Sequence, residues 1–103
     1  MIAELIYEQL KERDKRLSKS RFCMEYLGMD RNYLFVCRYQ GDKDISSRAL
    51  LNLYGSLKGA SNVWQELGQD YTAQQSDQFQ SQRAFTQELA TQVMEEIERR
   101  ALT

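Results

Sequence analysis

Ser18–Leu57 reads SKSRFCMEYLGMDRNYLFVCRYQGDKDISSRALLNLYGSL. Two short amphipathic segments meet at Gly28, the second stops at Gly41, and a third apolar-patterned segment begins after Ser46. That order predicts a helix-turn-helix with a supporting helix behind it. Ser18 suits the N-cap of the first helix, because its hydroxyl accepts from a free amide of the first turn. Phe22, Cys23, Tyr26 and Leu27 form the buried side of that helix. Gly28 stands where the chain must turn sharply, and only glycine takes a left-handed conformation there without steric cost.

After Met29, expected to plug the corner, Asp30 is placed to cap a second helix over about Arg31–Tyr39. Its inward positions are Tyr33 or Leu34, with Val36 and Cys37 behind them; Arg31, Asn32, Phe35 and Arg38 form an outward stripe. Residues 40–44 are a loop, and Ser46 or Ser47 should cap the supporting helix, with Ile45 as an apolar contact before the cap. Leu50, Leu53, Tyr54 and Leu57 supply its core stripe, Gly55 suggests close approach of a neighbouring helix, and Gly59 is the expected stop. A short helix over Ser61–Leu67 follows, carrying Trp64 as a packing residue and closed by Gly68.

Outside this block, Ile2 to about Arg16 places Ile2, Leu5, Ile6, Gln9 and Leu10 on one side at helical spacing, with a Glu12–Arg16 pair and Leu17 as an anchor at its exit. Gln69–Gln82 holds six glutamines and reads as a polar connector or the start of the last helix. From about Ser76 or Gln82 to Ala101, Phe85, Leu89, Val93 and Ile97 recur in an unbroken i+4 series, with Glu95–Arg99 and Glu96–Arg100 pairs in the last turns. A helix from Ser76 to Ala101 would span about 39 Å. A domain this small cannot cover that length, so Phe85, Leu89, Val93 and Ile97 are expected at a homodimer interface. The expected architecture is all-α: a compact helix-turn-helix domain over 1–68, of four to five short helices, then a glutamine-rich connector and long C-terminal helix over 69–103.

Composition agrees with packed helices. Of 103 residues, 42% are hydrophobic and 28% charged, and there is no proline to interrupt a helix. No apolar run is long enough for a signal peptide or a membrane span, so a cytoplasmic protein is expected. Cys23 and Cys37 fall at apolar phases and read as small, reduced core residues. Without histidine, and with two cysteines only, a closed zinc site and every histidine-based triad are excluded. No cofactor, small-molecule substrate or enzymatic role is expected.

The net charge of −1 is unevenly spread. Residues 18–48 carry six basic against four acidic side chains, while residues from 49 onward carry four basic against seven acidic. Positive charge therefore sits on the helix pair, which directs attention to nucleic acid. Arginine reaches guanine with two donors and asparagine pairs bidentately with adenine, making Arg31 and Asn32 the leading base readers. Phe35 either meets a thymine methyl or turns into the core, and Arg38 reaches a base or a phosphate. Lys19, Ser20 and Arg21 open the first helix of the pair, and Lys43 and Arg48 flank the loop on the far side; these are candidate phosphate contacts.

Ser18–Leu57 resembles the lambda-repressor/Cro (XRE-type) helix-turn-helix family over 40 of 103 residues. The resemblance rests on the serine-opened helix with Phe22-Cys23, the Leu27-Gly28 turn, the Asp30 cap, Tyr33-Leu34, Gly41, and the segment ISSRALLNLYGSL. It implies binding to double-stranded DNA as a homodimer, with two recognition helices about 34 Å apart on a near-palindromic site. The alternative is a helical protein-binding adaptor of phage or mobile-element type, favoured by the near-neutral charge and by Asp42 and Asp44 in the loop.

Overall fold

In the computed structural model, residues 2–40, 44–69 and 73–102 are described, with side chains described for 2–40, 44–60 and 80–102. Among these described residues five helices follow in order: α1 Ile2–Arg13, α2 Lys19–Glu25, α3 Tyr33–Tyr39, α4 Ser47–Gln69 and α5 Ala73–Ala101. The fold is all-α with a long C-terminal helix, and no strand occurs among the described residues.

The local chemistry that sets the boundaries is mostly what the sequence predicts. Ser18 Oγ accepts from the Arg21 amide at 3.1 Å and opens α2; Ser46 Oγ accepts from the Ala49 amide at 3.2 Å and opens α4. Gly28 adopts φ +62°. The chain wraps this glycine so that the Met29 amide donates back to the Cys23 carbonyl at 3.0 Å. From α4, Asn52 Nδ2 donates to the Leu27 carbonyl at 2.9 Å, and Ser56 Oγ donates to the Tyr26 carbonyl at 3.3 Å. The supporting helix therefore clamps the turn directly.

A Cβ at Gly28 would lie 2.9 Å from Asn52 Nδ2. That amide is the end of a flexible side chain and can swing away, but only by giving up its bond to Leu27. Gly28→Ala is thus expected to destabilise by at least the left-handed penalty of about 1–2 kcal/mol. Urea denaturation measures it, and an unchanged midpoint would mean that the turn tolerates another conformation.

Ile6, Leu17, Phe22, Leu27, Ile45, Leu50, Leu53, Leu57, Leu89 and Val93 form one buried core drawn from α1, α2, α4, α5 and their connections. Phe22 is its aromatic centre, 5.5 Å from the Tyr7 ring and 5.6 Å from Tyr26. Tyr7 Oη and Lys11 Nζ both donate to the Leu17 carbonyl, closing the α1–α2 corner.

Several expectations are corrected. α1 ends at Arg13, so Arg16 lies beyond it and Glu12–Arg16 is not a helical pair; Leu5, placed on the apolar side, is half exposed. α4 runs unbroken through Gly59 and the expected Ser61–Leu67 helix to Gln69. Among the described residues, a Cβ at Gly55 or Gly59 would meet nothing within 4 Å, so no close neighbour accounts for either glycine. The glutamine-rich segment is helical from Ala73 onward, while the side chains of Trp64 and of residues up to 79 lie outside the described residues. The stripe assigned to a dimer interface is spent within the chain. Leu89 and Val93 are 1% and 0% exposed in the core, Phe85 and Ile97 pack against it, and the Arg13 guanidinium lies 4.1 Å from the Phe85 ring centre.

The end of α5 is tied to the start of α4. Arg100 Nη1 donates to the Ile45 carbonyl at 2.7 Å, Arg100 Nη2 lies 3.6 Å from Asp44, and Arg100 Nε lies 3.2 Å from Glu96. Arg99 also pairs with Glu96, at i,i+3 rather than with Glu95 as expected. The hydrogen bond from Arg99, aided by Arg100, holds the Glu96 carboxyl below the usual carboxylate range. A carboxyl whose folded value lies below its unfolded value, about 4.3, stabilises the fold above that pH and loses the contribution as pH falls through the folded value. Urea midpoints should therefore fall on acidification below about pH 4–5, with a shallower fall in Glu96→Gln. Equal slopes would assign acid sensitivity elsewhere.

Candidate nucleic-acid interface

The surface is built by the α2–α3 pair and the turn between them. Asp30 Oδ1 accepts from the Asn32 amide at 2.9 Å, and the Asp30 carbonyl accepts from the Tyr33 amide at 3.0 Å. This turn takes up Arg31 and Asn32, so α3 begins at Tyr33, two residues later than expected, with Asn32 as its N-cap. The Asn32 side chain makes no capping bond and is free for other use. Tyr33 fixes the helix from below, its hydroxyl accepting from the Ser46 amide at 2.8 Å.

Within α3, Leu34 and Cys37 face the core. Val36, expected inward, is exposed, because it lies about 100° round the helix from Cys37. Phe35 is 70% exposed, which leaves it on the outward stripe and rules out the core role. Tyr39, four residues on, is 83% exposed and stacks with it at 6.3 Å between ring centres.

A depression of about 200 Å³ lies among these elements. Lys19 and Ser20 reach it from α2, Arg31 and Asn32 from the turn, and Phe35 and Arg38 from α3. Buried Cys23 and Leu34 supply its apolar floor, and burial pushes the Cys23 thiol up, keeping it protonated. Six of the nine residues expected to contact DNA thus converge. Arg21 does not line the depression and pairs with Glu25 at 3.2 Å, Arg48 is exposed in the first turn of α4 away from the lining, and Lys43 lies outside the described residues.

Glu4, from α1, completes the lining and pairs with Arg38 at 3.5 Å. Sequence reasoning missed it, because α1 is remote in sequence from the helix pair. Tyr39 was also missed, although its i+4 spacing from Phe35 places it on the same stripe. With three cations against one carboxylate, the rim is positive and suits an anionic ligand. Among the described residues no cluster of ligating side chains could hold a metal ion, and no helix is long and apolar enough to cross a membrane.

The sequence model of a family of unknown function, DUF6626, matches residues 3–102. No curated protein and no solved structure matches the chain.

Proposed function

We propose that this chain, which belongs to DUF6626, is a DNA-binding regulator that acts in the cytoplasm and contacts its site with the α2–α3 pair. The observation that carries the reading is the convergence of Lys19, Ser20, Arg31, Asn32, Phe35 and Arg38 on one positive, partly apolar depression. Arg31 and Asn32 are base-reading types held at the tip of a rigid turn, and Lys19 and Arg38 flank them where phosphates would lie.

Fluorescence anisotropy on DNA from upstream of its own gene, and on scrambled duplex, tests the reading at two salt concentrations. Tight binding to the upstream DNA that weakens steeply with salt is the expected result. Absence of binding to either at low salt would overturn it.

A second reading, a protein-binding adaptor, is favoured by one observation. Phe35, Val36 and Tyr39 expose three large apolar side chains on a seven-residue helix, an apolar surface of the kind that marks protein contacts. Under that reading Arg31→Ala leaves function intact and Phe35→Ala does not.

A further inference from the structure

A paired duplex turns only base edges toward the major groove. The depression offers more than edge readers. It has an apolar floor in Leu34 and Cys23, and the Phe35 ring stands at its rim, stacked with Tyr39 at an interplanar angle of 21°. Two large rings held nearly parallel and mostly in water present π faces, and a nucleobase presents its own face only when unpaired and unstacked. At about 200 Å³ the space is below the range of roughly 300–1,000 Å³ usual for drug-sized ligands and suits a single planar ring.

The polar groups at the opening fit the rest of a nucleotide. Asn32 carries both donors and an acceptor for a base edge, and its amide is not used in capping. Lys19 and Arg31 are exposed cations beside it, and the carboxylate of Glu4 is answered by Arg38 at 3.5 Å. We propose that this depression binds one unpaired nucleobase, with Phe35 against its face, Asn32 and Arg31 on its edge, and Lys19 on a flanking phosphate. The inference rests on the nucleic-acid reading of the same face and adds the substrate class: strands carrying unpaired nucleotides, as in a bubble, a flipped base or a single strand.

Anisotropy of the full chain with four labelled probes tests it: a paired duplex, the same duplex with a central mismatched bubble, its single DNA strand, and the RNA strand of the same sequence. The bubble is expected to bind roughly tenfold tighter than the paired duplex, the scale of one aromatic–base stack. Phe35→Ala, at an exposed position that circular dichroism can confirm as folded, should shrink that ratio toward one. Tighter binding of the RNA strand than the DNA strand, with the same Phe35 dependence, would keep the pocket and assign it RNA. Equal affinity for bubble and duplex, with Arg31→Ala weakening both, would overturn the base pocket while leaving the DNA reading in place. No binding to any probe would overturn both, and would leave the exposed rings to a protein partner.

Discussion

Leu89→Ala is expected to cost about 2–5 kcal/mol of folding stability, and its unfolding midpoint should not depend on protein concentration. Leu89 is 1% exposed and lies in a core that also holds Ala90 and Val93 of α5, Leu53 and Leu57 of α4, and Ile6 and Leu10 of α1. Replacing its isobutyl side chain by a methyl deletes transfer energy and leaves a cavity that the packed helices around it cannot easily close. Domains of this size have only about 5–15 kcal/mol to lose. Had the Phe85–Ile97 series been an interface between copies, the same substitution would release monomers that stay folded, and the midpoint of the parent would rise with concentration. Chemical denaturation at two protein concentrations separates the outcomes.

The second large effect concerns recognition. Arg31→Ala and Asn32→Ala should each weaken specific DNA binding by about 1–3 kcal/mol, or roughly 5- to 150-fold, without changing the thermal midpoint. Both residues are exposed, and what holds the turn is the Asn32 backbone amide donating to Asp30, which alanine preserves. A loss of binding shared equally by specific and scrambled duplex would make Arg31 a phosphate contact instead. A lowered melting temperature in either variant would instead place that side chain in the turn's stability.

Local chemistry sets some of these features and leaves others to long-range packing. Ser18, Gly28 and Ser46 act within a few residues of themselves, so their roles are legible from residue type and position. α4 was not legible as one helix because Gly55 and Gly59 each weaken a helix by about 1 kcal/mol, and the packing of α4 against α5 outweighs both. Periodicity in α5 marked a buried face correctly but says nothing about which chain buries it; the structure assigns it to α1 and α4 of the same chain. At the interface, Arg31, Asn32 and Phe35 could be chosen by chemistry and spacing. Glu4 could not, since its contact with Arg38 exists only once α1 has docked.

The segment 44–46 also has a kinetic meaning. Asp44 accepts from the Ile2 amide at 3.3 Å, Ser46 donates to Tyr33, and the Ile45 carbonyl receives Arg100. Partners 42, 13 and 55 residues away in the sequence meet at three consecutive positions. Loop-closure entropy makes the two longer contacts slow to form, whereas α4 and α5 are neighbours in sequence and can zip together early. On that argument this corner is expected to form late, and substitutions there should speed unfolding more than they slow folding.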